Sequence, residues 1–180
     1  MTQAYVLLDR DGVINHDSDD YIKSPEEWHP IAGSLEAIAL LNKHDFKVIV
    51  ITNQSGISRG FYDKATLDEI HNKMHQLTAE KGGLIEAIYY CPHGPDDLCD
   101  CRKPKPGLLN QFATDYHCSL PDTYFIGDKL GDIQAANLAT AKPILVKTGK
   151  GQNTLLKTPD INVPIFEDLY DAAKFIISKK

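Results

Sequence analysis

Asp9-Arg10-Asp11-Gly12 follows directly on the apolar run Ala4-Tyr5-Val6-Leu7-Leu8. A short apolar run reads as a buried strand, and the glycine beyond it as the turn that ends it. Carboxylates two residues apart at a strand end point to the same side, because side chains alternate with a period of two. Two like charges so placed are costly unless a cation or a shared proton relieves them. Such a pair suits Mg2+-assisted chemistry, with one carboxylate as nucleophile and the other as acid and base. An ordinary Asp-rich turn uses the same residue types, so the tetrapeptide alone leaves both readings open.

Further polar groups stand where other apolar runs end. Thr52-Asn53 precedes Gln54-Ser55-Gly56; a hydroxyl and backbone N–H groups at such a turn can hold a phosphoryl oxygen, or simply cap a helix. Arg102-Lys103-Pro104 carries cations able to neutralise phosphate, or able to form a solvated basic turn. In Gly127-Asp128-Lys129-Leu130-Gly131-Asp132, Asp128 is the natural third oxygen ligand for a hard metal beside Asp9 and Asp11. Asp132 equally suits the first turn of a following helix. Cys91, His93, Cys99 and Cys101 form a Cys3His set suited to tetrahedral Zn2+. With every position filled by protein, that site is structural. Cys118 stands apart and reads as a packed core thiol.

The elements that must position these groups alternate. Strands are expected at residues 5–8, 46–52, 85–90, 123–126, 143–146 and near 163–165. Helices are expected at 34–43, 64–81, 107–116, 131–138 and near 169–177. Leu67, Ile70, Met74 and Leu77, for example, are spaced for one buried helix face. Strand-then-helix order predicts an α/β fold with a mostly parallel sheet covered on both faces, and ligands at its carboxyl edge. The chain 1–180 is expected to form a single domain with a zinc loop, 91–101, inserted. Residues 16–33 are too long for a tight turn and are expected to face substrate. Segments 119–123 and 148–163 read as connections.

The net charge of −6 opposes a nucleic-acid surface. Apolar runs are too short to span a bilayer, and no basic stretch with an apolar core marks a secretory signal. Clustered cysteines point to a metal in a reducing compartment, so a cytoplasmic protein is expected. A monomer is expected for so small an α/β protein. A non-catalytic zinc knuckle is the competing class. The acidic charge and the carboxylates at several strand ends oppose it.

The set Asp9-x-Asp11-Gly12, Thr52-Asn53, Lys103 and Asp128-x-x-x-Asp132 resembles the haloacid-dehalogenase (HAD) superfamily of phosphohydrolases, with its Rossmann-like fold. The resemblance implies that Asp9 attacks phosphorus and forms an aspartyl-phosphate. Asp11 would protonate the leaving alkoxide and then deprotonate the hydrolytic water, which calls for a raised pKa in the substrate complex. Mg2+ would be held by Asp9, the Asp11 carbonyl and Asp128, with Asp132 supporting from outside the ligand set. Thr52 and Lys103 would bind the non-bridging oxygens.

Ser55-Gly56-Ile57-Ser58-Arg59-Gly60, Cys91-Pro92-His93 and Cys99-Asp100-Cys101-Arg102-Lys103-Pro104 are more narrowly similar to the D-glycero-D-manno-heptose 1,7-bisphosphate 7-phosphatases, a family with a minimal cap. That resemblance implies a small phosphorylated sugar as substrate, bound by Arg102, Lys129, Asn53 and the loop 17–21 with Asp17 and Tyr21. Arg59 would reach the far end of the bisphosphate. The histidinol-phosphate phosphatases share the catalytic set and a similar zinc loop, and are the alternative. The anomer, α or β, is not expressed in these motifs.

Overall fold

In the computed structural model, which describes residues 3–180, six short apolar runs pair as strands of one sheet. They are β1 (Ala4–Leu8), β2 (Phe46–Asn53), β3 (Ile85–Cys91), β4 (Tyr124–Gly127), β5 (Lys142–Val146) and β6 (Ile165–Phe166). The order is β3-β2-β1-β4-β5-β6, and every neighbouring pair is parallel. The chain builds outward from β1 to β3, then returns to place β4 on the other side of β1. The strand order therefore reverses between β1 and β4, and open α/β sheets bind ligands beyond the carboxyl ends at such a point.

Six helices cover the sheet: α1 (Ser34–Lys43), α2 (Lys64–Glu80), α3 (Gly107–Asp115), α4 (Leu130–Leu138), α5 (Gly151–Lys157) and α6 (Leu169–Ser178). The two-residue alternation of the strands sorts side chains between two cores. Val6, Leu8, Val48 and Val50 pack with Leu35, Ile38 and Leu41 of α1 and Ala172 and Ile176 of α6. Leu7, Ile49 and Ile51 pack with Leu109 and Phe112 of α3 and Ala135 and Ala136 of α4. Cys118 lies half-buried against this second core.

The long segment 16–33 owes its length partly to packing. Trp28 is wholly buried in the first core, and Lys73 Nζ of α2 donates to the carbonyls of Pro25 and Trp28 at 2.6 and 2.8 Å. The expectation that 148–163 merely connects is overturned: α5 lies inside it, and its leading turn enters the site described below. This helix has seven residues, starts on a glycine, and has no side-chain cap at Lys150, so it carries none of the usual start signals. No helix among the described residues is long and apolar enough to cross a membrane.

Candidate active site

β1 and β4 end side by side, with the Asp9 N–H donating to the Ile126 carbonyl at 2.9 Å. Asp9 follows the first of these strands, and Asp128 and Asp132 follow the second. Carboxylate oxygens of all three buried residues lie within 4.8 Å of one another. Lys103 Nζ is inserted among them, 2.9 Å from Asp9 Oδ1 and 2.7 Å from Asp132 Oδ1, and donates also to the Ile51 carbonyl at 2.8 Å. Burial alone would lower the Lys103 pKa, but the two carboxylates reverse this and raise it, so the ammonium stays charged.

One lysine does not balance three acids. Burial, then repulsion from Asp132, pushes Asp9 up to about 6 against the pull of Lys103. Burial pushes Asp128 up to about 8, with Lys129 opposing and Asp9 and Asp132 adding. Asp128 Oδ2 accepts from the Lys150 N–H at 2.7 Å, while its Oδ1 is buried with no hydrogen-bond partner. An orphaned buried oxygen among crowded carboxylates fits a hard divalent cation, which supplies the missing charge. The expected Mg2+ site suits these residues. The same crowding explains Gly12 (φ 87°) and Gly149 (φ 57°). A Cβ on either would stand 2.1 or 2.4 Å from Asp128 Oδ2, besides requiring a left-handed backbone. Thr148 Oγ1 donates to the Gly12 carbonyl at 2.7 Å, and Thr154 Oγ1 to the Asp128 carbonyl at 2.8 Å.

Asp132 takes the first-turn place read for it at the start of α4. Its Oδ2 accepts from the N–H groups of Asp128 and Lys129 at 3.2 and 3.1 Å, capping α4, while Oδ1 holds Lys103. Asp11 departs from expectation. Its carboxylate is not in the cluster with Asp9, because β1 ends at Leu8 and strand alternation does not carry beyond it. Arg10 Nε and Asn15 Nδ2 donate to Asp11 Oδ1, each at 2.9 Å, and Gln54 Nε2 donates to Oδ2 at 3.1 Å. Burial would raise its pKa, yet Arg10, Asn15 and Lys129 prevail and hold it below the usual carboxylate value. The raised pKa expected of Asp11 in a substrate complex is thus not a property of the free site.

Of the remaining phosphate candidates, Asn53 is bonded to Lys103, while Thr52 and Arg102 have other partners. Thr52 Oγ1 is buried and accepts from Gln54 Nε2 at 2.9 Å. Both ends of the Asn53 amide are spent on the Lys103 backbone, at 3.0 and 3.1 Å, so in this structure Asn53 positions the lysine. Arg102 Nη1 donates to the His93 carbonyl at 3.1 Å, which ties it to the zinc loop.

Cys91, His93, Cys99 and Cys101 present ligand atoms within 4.8 Å of one another. Cys91 Sγ lies 3.8 Å from Cys99 Sγ and 3.0 Å from Cys101 Sγ. Zn–S bonds of about 2.3 Å in a tetrahedron need S–S edges of about 3.8 Å, so the set fits zinc after small adjustments. This loop buttresses the phosphate side of the site twice. The Gln54 N–H donates to the Cys91 carbonyl at 2.7 Å, and Lys103 lies two residues beyond Cys101. Cys99→Ser, or zinc removal by a chelator, is therefore expected to lower turnover by roughly 10–100-fold without touching a reacting group. Turnover assays paired with metal analysis check this, and full activity in zinc-free protein would contradict the coupling.

At the mouth, Lys129 Nζ pairs with Asp17 Oδ2 at 3.2 Å, and Lys150 Nζ pairs with Asp19. The Tyr21 and Phe61 rings pack at a tilt of 50° with centroids 5.1 Å apart, and the Arg59 guanidinium lies 5.9 Å from the Tyr21 centroid. Tyr21 takes φ 66°, a strained backbone for an aromatic residue and of the kind that functional loops retain. Tyr21, Phe61, Asp19, Asp20 and Lys23 border a cavity of about 430 Å³. Sequence reasoning did not reach Lys150, Gln54, Arg10 or Phe61. Arg10 and Gln54 stand inside recognised motifs, which was a signal, whereas Lys150 and Phe61 lie in segments without one.

The geometry has relatives. A model of HAD-hydrolase-like proteins matches residues 100–172. The D-glycero-beta-D-manno-heptose-1,7-bisphosphate 7-phosphatase of Pseudomonas aeruginosa is 51% identical over 177 residues, covering 98% of this chain and 99% of that protein. The protein of the same name from Pseudomonas putida is 54% identical over 172 residues, covering 96% and 98%. The crystal structure of D,D-heptose 1,7-bisphosphate phosphatase from Bordetella bronchiseptica, complexed with magnesium and phosphate, superposes with a TM-score of 0.95. It is 46% identical and covers 98% of this chain and 99% of that one.

Proposed function

Since the chain belongs to the heptose-1,7-bisphosphate 7-phosphatase family of HAD-like hydrolases, we propose that Asp9 is the nucleophile of a Mg2+-dependent phosphatase and that the substrate is the β anomer of D-glycero-D-manno-heptose 1,7-bisphosphate. The carrying observation is the buried trio Asp9, Asp128 and Asp132 with Lys103 wedged among them at the reversal point of the sheet. Its competing class, a non-catalytic zinc knuckle, gives no reason to bury three acids around one lysine.

The chemistry follows from charge. A carboxylate approaching a phosphate dianion is repelled, so cations at the site are a requirement. Mg2+, held by Asp9, Asp128 and the Asp11 carbonyl, supplies charge neutralisation and polarises the phosphoryl oxygens. Lys103, fixed by Asn53 and the zinc loop, presents a second positive charge to the equatorial oxygens, with the Thr52 hydroxyl beside it. Asp9 attacks phosphorus while the P–O bond to C7 breaks, and Asp11 transfers a proton to the departing oxygen. Asp11 then takes a proton from the water that attacks the aspartyl-phosphate, releasing phosphate and regenerating Asp9. Asp11 is ionised in the free site, and the negative charge of an arriving phosphate beside it favours the protonated form that the first step needs.

Arg59, above Tyr21, and Lys129, paired with Asp17, are assigned to the distal phosphate and the sugar. Arg102 is assigned to the sugar phosphate at the zinc-loop side. The protein is further proposed to act as a cytoplasmic monomer, where its four cysteines, none of them in a disulfide, would stay reduced.

The test is phosphate release with Mg2+ from the β and α heptose 1,7-bisphosphates and from histidinol phosphate, side by side. Preference for the β bisphosphate, with loss of only the 7-phosphate, is expected. Preference for histidinol phosphate would overturn the substrate assignment and leave the roles of Asp9, Asp11 and Asp128 standing.

A further inference from the structure

We propose that His71, on α2, is a positioning residue for the acid/base Asp11, acting through the guanidinium of Arg10. The inference rests on the phosphatase reading above. Arg10 is fully buried, and its guanidinium contacts its neighbours on every side. Nε donates to Asp11 Oδ1 at 2.9 Å, Nη2 to Asp11 Oδ2 and to Gln54 Oε1 at 3.2 Å each, and Nη1 to His71 Nε2 at 3.2 Å. One edge of the plane therefore grips the acid/base, and the opposite corner is pinned by the imidazole.

A guanidinium has five donors and no acceptor, so His71 Nε2 must offer a lone pair and the ring proton must sit on Nδ1. Burial, then the adjacent Arg10 charge, pushes His71 down to about 3, so the ring remains neutral and an acceptor at any working pH. His71 stands in the buried stripe of α2 between Leu67, Ile70 and Met74, with Thr78, whose hydroxyl donates to the Met74 carbonyl, as the other buried polar residue of the helix. A polar ring in such a stripe is costly unless it is hydrogen-bonded, and Arg10 is the partner it meets. The same network reaches further. Gln54 Oε1, which shares Arg10 Nη2, also accepts from Tyr62 Oη at 2.7 Å, and Gln54 Nε2 bridges Asp11 to the Thr52 hydroxyl. His71 thus sits at the outer end of a buried chain whose inner end orients both the acid/base and a phosphate-binding hydroxyl.

Without an acceptor at His71, Nη1 of a wholly buried arginine is left unpaired. The guanidinium then loses one of the contacts that set its plane, and Asp11 loses its fixed direction. Lys103 and Lys129 do not hydrogen-bond to this network and only the Thr52 hydroxyl connects it to substrate binding, so the loss falls mainly on the chemical steps.

The experiment compares wild-type, His71→Leu and His71→Gln proteins in phosphate release from heptose 1,7-bisphosphate with Mg2+. His71→Leu is expected to lower kcat by roughly 10–100-fold, the range usual when the outer partner of an active-site group is removed. KM should change far less than kcat, since the cationic binding groups Lys103 and Lys129 lie outside the network and it reaches substrate binding only through the Thr52 hydroxyl. His71→Gln, whose carbonyl can accept from Arg10, is expected to recover most of the lost kcat. A native kcat in His71→Leu overturns the inference, as does equal loss in both variants. Independently, 15N NMR of histidine-labelled wild-type protein, assigned by the signal missing in His71→Gln, should show an unprotonated Nε2. A protonated Nε2 at neutral pH overturns the inference even if His71→Leu does not fold. Absence of turnover in the wild type would overturn the phosphatase reading and this inference with it, whereas the variant results bear on His71 alone.

Discussion

Asp9→Asn is expected to reduce turnover by at least about 10⁴-fold, the scale seen when a covalent nucleophile is removed, while leaving the protein folded. An amide is almost isosteric with the carboxylate but is a far poorer nucleophile toward phosphorus. The fold should tolerate the change for an electrostatic reason. Asp9 lies against Asp128 and Asp132, and burial with Asp132 already pushes it up to about 6. Neutralising it relieves repulsion among three buried acids, and Lys103 keeps Asp132 as a partner at 2.7 Å. Metal-free Asp9→Asn should therefore melt at or above the temperature of the metal-free wild type. Phosphate release and thermal melts check both halves. Retention of more than roughly 1% of turnover would remove Asp9 from the nucleophile's role.

Asp11→Asn should show a different pair of effects. Turnover is expected to fall by about 10²–10⁴-fold, the usual contribution of a positioned acid or base. Stability should fall as well, because Asp11 is the negative partner of Arg10, which is wholly buried. Removing one member of a buried ion pair leaves an uncompensated charge and typically costs about 3–5 kcal/mol. With an aryl phosphate, whose leaving group needs no proton, the first step should proceed and the second should stall. Mass spectrometry should then find one phosphoryl group on Asp9. Phosphate on any other residue would end the mechanism as written. The contrast is diagnostic: one aspartate is crowded by like charge, while the other is held by an opposite charge.

The strand and helix runs were legible because their side-chain spacing is local. The apolar runs at residues 5–8 and 46–52 and the stripe Leu67, Ile70, Met74 each require only a few consecutive residues to be read. Carboxylates at strand ends and the Cys3His cluster were legible for the same reason, since residue type and short spacing carry the chemistry. The helix Gly151–Lys157 was not, because its start has no cap and its role is to deliver the Lys150 N–H to Asp128 across 22 residues. The placement of Asp11 was misjudged in the same way. Strand alternation was extended past Leu8, where the turn instead directs the carboxylate to Arg10, Asn15 and Gln54.

By itself, then, the sequence determined the order of the strands and of every helix but α5, the place of Asp9 at a strand end, and the Cys3His cluster. Each of these depends on residue identity over short stretches. Only the tertiary structure decided which charges meet. It set Lys103 between Asp9 and Asp132 from 94 and 29 positions away, brought His71 to Arg10 from 61, and left one oxygen of Asp128 without a hydrogen bond, 3.6 Å from Lys129 Nζ. Such contacts are set by the parallel crossovers that bring distant strand ends to one edge of the sheet, and a buried charge has no favourable state until that edge is assembled.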